Sequence, residues 1–442
     1  MRLPYGLLTL ILAALAFSAR AGGQTAVATS APQAATTPPL PSARQLTGEE
    51  IRKLPVDTAH VMELAARKLA AYDALTPDKK SYPNDAKGAA WSNVRPGDWV
   101  TGFYPGSLWY AHEYAKGKNL PAATRLRELA ETWTAGLEDR QTDDHSHDIG
   151  FVVFDSFGNG YRLTGNPGYL PVINQAAQTL STRFVPKTGL IRSWGAIGDT
   201  KVQQVCIDNM MNLELLLWAS EHGGTVKDGM AEDLRKIAVS HADRMRELFF
   251  RPDGSLFHVV DLDPLTGSVI KKRTKQGKSD GSAWSRGQTW AIYGFGTMYR
   301  YTKDPKYLEA SKRAADYYIA HLPEDFVPPS DFDSTLTGLE FKDSSAAAVA
   351  ASGLLQLSSL VSDPALKKKY FEAAENTLRS LTHAPYLAEG DDKAALLVYA
   401  ARNYNEDPAN KLTNTSLIFG DYYLLEALLA YERAQAAAET SQ

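Results

Sequence analysis

Apolar residues recur with a helical period along most of the chain, and the pattern takes two forms. Six segments carry an apolar stripe on one face and charges on the other, which is typical of an outer helix of a globular domain. Six others begin with a polar cluster and continue into a stretch that is apolar nearly all round, such as residues 344–360. A helix of this second form is buried on every side. The two forms alternate, which predicts twelve helices paired as six hairpins.

The amphipathic helices are expected at residues 61–75, 123–137, 169–184, 232–250, 305–322 and 365–381. The buried helices are expected at about 101–116, 149–163, 209–222, 286–302, 343–360 and 418–435. If every second helix is an inner one, all six inner helices run parallel. Their N-termini then lie at one end of the molecule, where the polar residues that begin them converge.

An internal repeat favours a closed array of helix pairs. Residues 161–170 (YRLTGNPGYL) match residues 299–308 (YRYTKDPKYL), 138 positions further on, and this distance equals three hairpins of about 46 residues. Six such pairs predict an all-α fold, an (α/α)6 barrel, with an open α-solenoid as the alternative. Residues 254–274, with a Pro264-Leu265-Thr266-Gly267 turn, predict a small β-hairpin lid over the barrel mouth.

The N-terminus has the pattern of a secretory signal. Arg2 precedes an apolar run at 7–17, which is too short to span a bilayer, and Ala19-Arg20-Ala21 fits a cleavage site. We therefore expect a signal peptide at 1–21, a disordered linker at 22–45 and one catalytic barrel at 46–437. A single anchor helix is the alternative. The mature protein is expected to be a secreted monomer without a membrane insertion, periplasmic if the source is Gram-negative.

Composition excludes several classes of function. The formal charge of −4 on 442 residues argues against nucleic acid as a partner. Cys206 is the single cysteine and the nine histidines lack metal spacing, so neither a disulfide nor a metal is expected. The sequence has no phosphate loop, dinucleotide fingerprint or nucleophile elbow, and no cofactor is expected.

Asp148 and Asp208 are the candidate catalytic residues because each precedes an inner helix. Such an aspartate is often only a helix cap, but two of them facing each other across one end of a barrel suit acid–base chemistry. A helix N-terminus lowers the pKa of a carboxyl group, so the acid needs apolar walls or a second charge to raise it. Trp99, Trp194 and Trp290 are candidates for those walls and for stacking on sugar rings.

Further polar residues are expected around this pair. Arg286 begins the fourth inner helix and suits a carboxylate ligand. Gln276 and His258 come from the lid region, although His258 is equally consistent with a solvent-facing strand residue. Five cations lie at 271–278; the sequence is consistent with a solvated loop or with attraction of an acidic or sulfated substrate.

Seven ordered motifs resemble those of the unsaturated glucuronyl hydrolases, glycoside hydrolase family 88. They are DWVTGF (98–103), HDIGF (147–151), IRSWG (191–195), IDNMMNL (207–213), SAWSRGQTW (282–290), DSSA (343–346) and GDYY (420–423). The resemblance covers residues 90 to 435. Lys275 departs from it, since many members have His at that position.

The resemblance implies a cofactor-independent release of a terminal 4,5-unsaturated uronic acid from oligosaccharides that polysaccharide lyases generate. It implies that Asp208 is the general acid and base of an enol ether hydration and that Asp148 assists it. The substrate-binding positions that it implies are Trp99, His147, Trp194, His258, Gln276, Arg286 and Trp290. The alternatives are an unsaturated rhamnogalacturonyl hydrolase of the same fold, an ordinary inverting glycosidase, and a non-catalytic oligosaccharide-binding barrel.

Overall fold

The computed structural model describes residues 45–230, 233–407, 409–410 and 412–440, all within one unit that begins at Ala43. The predicted signal peptide lies outside these residues, and so does the predicted linker apart from Gln45. Among the described residues, no helix is long and apolar enough to cross a membrane.

All twelve predicted helices are present within a few residues of their expected bounds. In chain order the helices are α1 (Gly48–Arg52), α2 (Thr58–Leu75), α3 (Phe103–Gly117), α4 (Ala123–Ala135), a π-helix (Gly150–Gly158), α5 (Asn159–Thr164), α6 (Tyr169–Ser181), α7 (Asn209–Glu221), α8 (Leu234–Phe249), α9 (Ser285–Thr302), α10 (Pro305–Ala320), α11 (Ser344–Leu360), α12 (Pro364–Leu381) and α13 (Ile418–Thr440). The short helix α1 is not predicted by the hydrophobic pattern.

The inner helices form a closed ring. Helix α3 contacts the π-helix, which contacts α7; α7 contacts α9, α9 contacts α11, α11 contacts α13, and α13 returns to α3. An open solenoid would leave two end helices without neighbours on one side. The ring therefore confirms the (α/α)6 barrel.

Burial separates the two rings as the sequence predicts. The inner helix α11 buries 14 of its 17 residues, whereas the outer helix α10 buries 6 of 16. The inner helices also approach closely at glycines. A Cβ atom at Gly102 would lie 2.0 Å from the carbonyl oxygen of Phe151, and one at Gly150 would lie 2.4 Å from the side-chain oxygen of Asn212. These contacts explain why the inner segments are rich in glycine.

The second inner helix differs from its predicted form. The sequence predicts one α-helix over 149–163, but residues Gly150–Gly158 form a π-helix and only Asn159–Thr164 are α-helical. π-Helical turns are uncommon and are often found at functional sites. Asp148 lies two residues before this segment.

Small sheets cover parts of the barrel ends. Their strands are β1 (Tyr82–Ala86), β2 (Trp91–Val94), β3 (Phe184–Val185), β4 (Leu190–Ile191), β5 (Gln203–Cys206), β6 (Val259–Leu262), β7 (Val269–Arg273) and β8 (Ser416–Leu417). The predicted hairpin is the antiparallel pair β6–β7, and β5 adds a third strand by pairing Cys206 with Val259. Strand β5 runs directly into Asp208, so this sheet holds one candidate residue.

Candidate active site

The two candidate aspartates lie at the N-terminal end of the inner ring, each beside a histidine. They precede neighbouring inner helices, so the expectation that they face each other across the barrel end is wrong. Nε2 of His147 is 3.2 Å from Oδ1 of Asp148, and Nε2 of His258 is 3.7 Å from Oδ2 of Asp208. Sixteen per cent of the Asp148 side chain and 17% of the Asp208 side chain are exposed. Both carboxyl groups are therefore mostly withdrawn from water and still reachable by a ligand.

Asp208 does not act as a helix cap. Asp208 occupies the N-cap position of α7, but its side chain accepts no capping hydrogen bond. Its Oδ2 atom has no hydrogen-bond partner among the described residues. Burial raises the pKa of Asp208, the nearby Asp148 raises it further, and His147 and Arg286 lower it. A carboxyl group that stays protonated at a higher pH suits a general acid.

Asp148 is held by a neighbouring hydroxyl group. Ser146 Oγ donates to Asp148 Oδ2 at 2.8 Å. Burial raises the pKa of Asp148 to about 6, with a smaller contribution from Asp98, while the hydrogen bond from Ser146 acts in the opposite direction. The effect of burial on the pKa of Asp148 thus outweighs the effect of the hydrogen bond from Ser146.

The two histidines are neutral near pH 7. Burial lowers the pKa of His147 to about 4 and that of His258 well below its usual value. His258 Nδ1 accepts the backbone N–H groups of Lys275 and Gln276 at 3.2 and 3.3 Å. Its proton is therefore on Nε2, the atom that faces Asp208. The structure thus buries His258 beside the carboxyl pair, and the alternative of a solvent-facing strand residue is wrong.

Aromatic rings surround the pair at two depths. Trp99 and Trp194 are partly exposed, and Trp194 lies edge-on to His147 at 5.8 Å. Trp290 is only 1% exposed and packs at 5.6 Å on Phe151. The structure thus separates the three predicted tryptophans into two at the surface of the site and one beneath it.

Below the carboxyl pair, four inner helices contribute one ring each to a layer that we call the aromatic floor: Phe103, Phe151, Trp290 and Tyr423. Ring centroids are 5.3 Å apart for Phe103–Phe151 and 5.5 Å apart for Trp290–Tyr423. Phe103 also lies 6.0 Å from Tyr423 on the neighbouring helix α13. Trp290 contacts Phe151 and Tyr423 past one intervening helix on each side, so these two contacts cross the lumen of the barrel.

Arg286 already has a carboxylate partner inside the protein. Its Nη1 atom donates to Asp343 Oδ2 at 2.7 Å and to the carbonyl oxygen of Ala401 at 2.6 Å, while Nη2 donates to the carbonyl oxygen of Arg402 at 2.7 Å. Gln276 Nε2 donates to the same Arg402 oxygen at 2.9 Å. Arg286 and Gln276 therefore both hold the 401–402 loop in place by hydrogen bonds. The sequence does not predict these contacts.

The five cations of the basic segment do not act together. Lys271 pairs with Asp280, Arg273 pairs with Asp261, and the amino groups of Lys272 and Lys278 bind backbone carbonyl oxygens. Lys275 differs, since its Nζ atom lies 4.0 Å from the ring centre of Trp194. Of the five cations that the sequence analysis considered for attracting an acidic substrate, only Lys275 lies at the site.

Two buried residues that the sequence analysis did not select support the site from behind. Arg183 donates to the backbone carbonyl oxygens of Asp144, Arg192 and Gly195, which ties the loop before His147 to the loop that carries Trp194. The Cys206 sulfur lies 3.6 Å from Nε2 of His147. In the sequence Arg183 is a single arginine that follows an amphipathic helix, and nothing in this pattern predicts that it joins two loops of the site.

The described residues contain no group of three or more His, Cys, Asp or Glu side chains arranged to hold a metal ion. The arrangement is instead that of an acid–base pair of carboxyl groups with aromatic walls, which suits proton transfer to and from a sugar.

Comparison with known proteins gives one consistent family. No protein-family model matches the sequence. The chain is 38% identical over 335 residues to an unsaturated glucuronyl hydrolase of Formosa agariphila, a match that covers 75% of this chain and 79% of that protein. A crystal structure of an unsaturated glucuronyl hydrolase specific for heparin matches with a TM-score of 0.75 and 35% identity, over 85% of this chain and 97% of the other.

A mutant unsaturated glucuronyl hydrolase of Streptococcus agalactiae, in complex with dGlcA-GalNAc6S, matches with a TM-score of 0.67 and 27% identity. That match covers 88% of this chain and 93% of the other.

Proposed function

Since the chain belongs to the unsaturated glucuronyl hydrolases, glycoside hydrolase family 88, and is a glycosidase, we propose that it releases the terminal 4,5-unsaturated uronic acid from glycosaminoglycan oligosaccharides produced by lyases. One observation carries the chemical part of this proposal. Two mostly buried carboxyl groups with raised pKa values begin neighbouring parallel helices, and neither is consumed by capping its helix.

In the proposed reaction, Asp208 in its protonated form gives its proton to C4 of the enol ether, and positive charge develops at C5 and the ring oxygen. The Asp208 carboxylate then takes a proton from a water molecule as the water oxygen bonds to C5. The hemiketal formed at C5 opens, and the glycosidic bond at C1 breaks with the aglycone leaving as an alcohol. The aspartate ends protonated, as it began.

The surroundings of Asp208 support these two roles. Burial raises the pKa of Asp208, which favours the protonated form that the first step requires. His258, neutral with its proton on Nε2, directs a polar N–H group toward Asp208 from 3.7 Å and adds no positive charge. Asp148 is proposed to orient the ring hydroxyl groups and to raise the proton affinity of its partner.

The substrate class follows from the relatives and from Lys275. The heparin-specific protein and the complex with dGlcA-GalNAc6S both concern glycosaminoglycans. In this chain the Lys275 amino group lies over Trp194 at the exposed side of the site. A cation there favours an acidic or sulfated fragment over a neutral one.

The decisive experiment incubates the enzyme with purified unsaturated disaccharides from heparin, chondroitin, ulvan and rhamnogalacturonan lyases. Loss of the ultraviolet absorbance of the conjugated enuronate reports hydration. We expect turnover of the glycosaminoglycan products and none of a saturated glucuronide. Cleavage of the saturated glucuronide would instead support an inverting glycosidase, and preference for the rhamnogalacturonan product would support the rival hydrolase.

We also propose that residues 1–21 direct secretion. The apolar run at 7–17 and the Ala19-Arg20-Ala21 site support this. Mass spectrometry of the protein recovered outside the cytoplasm should give Gly22 as the first residue. Recovery of the full-length chain in a membrane fraction would favour an uncleaved anchor.

A further inference from the structure

Two neighbouring arginines are buried behind the proposed catalytic site. Arg183 follows the outer helix α6, Arg192 follows strand β4, and each is only 2% exposed. The hydrogen bonds of both guanidinium groups go to backbone carbonyl oxygens, and neither group forms an ion pair among the described residues. Charged side chains are rarely buried without a charged partner, so the two arginines have a role that an ordinary ion pair does not fill.

The guanidinium group of Arg183 ties two loops together. Its Nε atom donates to the carbonyl oxygen of Arg192 at 2.8 Å, and Nη2 donates to that of Gly195 at 3.0 Å, both in the loop that follows β4. Its Nη1 atom donates to the carbonyl oxygen of Asp144, in the loop before the π-helix. Three acceptors in one plane match the rigid donor fork of arginine, and the single amino group of a lysine does not reproduce that fork.

The tied loops carry two residues of the proposed site. Trp194 stands between the two carbonyl groups that Arg183 binds in one loop, and Asp148 follows the other. The backbone N–H group of His147 donates to the carbonyl oxygen of Ser193 at 3.0 Å, which adds a direct bond between the loops. A shift of either loop therefore moves Trp194 relative to Asp148.

Arg192 holds a different turn. Its Nη1 atom donates to the carbonyl oxygen of Val202 at 2.5 Å, and its Nη2 atom donates to that of Asp199 at 2.7 Å. These bonds fix the turn beyond Trp194 and do not reach the loop before the π-helix. Arg192 thus equals Arg183 in burial and in the type of acceptor, and differs in what it holds.

The charge of Arg183 acts on Asp148. Burial lowers the pKa of Arg183 to about 10, so its guanidinium group stays charged at neutral pH. This charge lowers the pKa of Asp148 and so opposes the effect of burial. The charged and titratable groups around Asp148 are Asp98, His147, Asp208, Lys275 and Arg183.

Only two of these groups are positive at neutral pH, since His147 is neutral there. Lys275 is exposed, and solvent and salt screen its charge. Arg183 is buried, and its charge is screened much less. A carboxylate partner would cancel this charge, whereas the carbonyl oxygens that bind Arg183 leave it in place.

We propose that Arg183 is a positioning residue for the hydrolysis, which fixes Trp194 and Asp148 relative to each other and whose charge favours the ionised form of Asp148. The inference rests on the proposed function, in which an ionised Asp148 orients the ring hydroxyl groups and raises the proton affinity of Asp208. Arg183 acts through these residues and has no contact with the reacting atoms.

The test separates the hydrogen bonds of Arg183 from its charge. Arg183→Lys keeps the charge and loses the donor fork, whereas Arg183→Gln loses both. With an unsaturated disaccharide, we expect KM to rise by about fivefold in both variants and kcat to change less, because Trp194 contacts the sugar without reacting. In Arg183→Gln alone, the acidic limb of the kcat/KM profile should move to higher pH by roughly half a unit, since loss of a positive charge raises the pKa of Asp148.

Arg192→Gln is the matched control. It removes an equally buried guanidinium group next to the same loop, and Arg192 is not among the main charges that act on Asp148, so its acidic limb should stay in place. Amide hydrogen exchange gives a readout that does not depend on turnover. Exchange should increase in both 144–148 and 192–195 in the two Arg183 variants, and around 199–202 in Arg192→Gln.

An unshifted acidic limb in Arg183→Gln, an equal shift in Arg192→Gln, or increased exchange in only one of the two tied loops would overturn the proposal. If the neutral variant does not fold, Arg183→Lys still tests it, and an unchanged KM with unchanged exchange in that variant would overturn it as well. A wild-type enzyme without activity on any lyase product would instead contradict the proposed function. The exchange measurement would then still decide whether Arg183 ties the two loops.

Discussion

At the scale of single residues, the site depends on carboxyl groups that the fold keeps away from water. Asp208 and Asp148 are each less than one-fifth exposed, and burial is the main cause of the raised pKa of both. Two histidines that are neutral near pH 7 stand beside them, and the charge of the buried Arg286 offsets only part of the effect of burial on the pKa of Asp208. Burial of these two carboxyl groups thus favours their proposed role in proton transfer and also disfavours their charged forms in the folded protein.

Replacement of the proposed acid should abolish turnover without unfolding the protein. In Asp208→Asn the amide can neither give nor take the proton, so we expect kcat/KM to fall by about 10⁴-fold, the upper end for general acid–base catalysis. The absorbance assay on an unsaturated disaccharide measures this. Asp228→Asn, an exposed aspartate, is the control and should behave as wild type. Activity of Asp208→Asn within tenfold of wild type would remove Asp208 from the mechanism.

Replacement of the second carboxyl group should change the pH dependence as well as the rate. The pKa of Asp148 is raised to about 6, and its charge raises the proton affinity of Asp208. In Asp148→Asn that repulsion is absent, so the basic limb of the kcat/KM profile should move to lower pH. Profiles from pH 4 to 9 test this. A reduced rate with an unshifted profile would make Asp148 a substrate-orienting group only.

Lys275 should govern preference for sulfated substrates. An exposed ion pair contributes at most about 1 kcal/mol, so Lys275→Ala should lower the ratio of kcat/KM for sulfated over unsulfated disaccharides by up to about fivefold. The ratio in wild type should fall with added salt, because exposed charges are screened. Lys271→Ala, whose amino group already pairs with Asp280, should leave the ratio unchanged. An equal loss for both substrates in Lys275→Ala would show a role in packing on Trp194.

At the scale of helices, close contacts at glycine decide how the inner ring packs. A methyl group at Gly102 would lie 2.0 Å from the Phe151 carbonyl oxygen, whereas one at Gly117, at the other end of the same helix region, meets nothing within 4 Å. The same substitution should therefore have opposite effects at the two ends of α3.

Gly102→Ala should lower the free energy of unfolding by about 1–3 kcal/mol or more, because backbone must move to admit the methyl group. Gly117→Ala should leave stability unchanged or raise it by up to ~1 kcal/mol, since alanine favours a helix. Urea unfolding of both variants measures the difference. Equal stabilities would mean that the α3 and π-helix backbones separate easily.

The sequence predicts the elements better than their details. Helical periodicity and the repeat at 161–170 and 299–308 are sufficient for all twelve barrel helices and for the β6–β7 hairpin. They do not predict the π-helix, whose first residues lie against Gly102 and Asn212, two residues that are distant from it in the sequence. Strand β5 is also missed, since four residues pair only through the non-local partner β6.

For the site residues, too, the sequence predicts the positions of the main side chains and does not predict their partners. Chain position and residue type place Asp148, Asp208 and Trp99 at one end of the barrel, and the structure brings them there. Their partners are not predictable in the same way. Arg286 meets Asp343 and Arg183 meets three carbonyl oxygens through loops whose courses the sequence does not specify.

At the scale of the whole molecule, buried carboxyl groups and buried histidines have opposite effects on how stability depends on pH. The pKa values of Asp148 and Asp421 are raised from 3.8 to about 6 and about 7 by burial. Each of these two carboxyl groups therefore binds more protons in the folded protein than in the unfolded chain between about pH 4 and 7, and its own contribution to the free energy of unfolding increases as pH falls through this window. The lowered pKa values of His147 and His258 act in the opposite direction.

Asp148 alone contributes up to ~3 kcal/mol to this change, at 1.36 kcal/mol per pKa unit. Urea unfolding of wild type and Asp148→Asn between pH 5 and 8 isolates this contribution: the stability of wild type relative to the variant should increase toward pH 5, and the variant should be the more stable protein at pH 7. A stability of wild type relative to the variant that is flat or increases with pH in this range would contradict the expectation.

The aromatic floor also sets a limit on how the enzyme consumes its substrate. Rings from four helices block the lumen directly beneath the carboxyl pair, so a polysaccharide has no exit through the barrel and no way to slide forward after cleavage. A substrate chain can therefore reach the carboxyl pair only with its terminus and only from the open end of the barrel. In the proposed reaction the shortened chain has no double bond at its new end, so it is not a substrate again. The number of moles of uronic acid released should equal the number of moles of oligosaccharide supplied, whatever the length of the oligosaccharide.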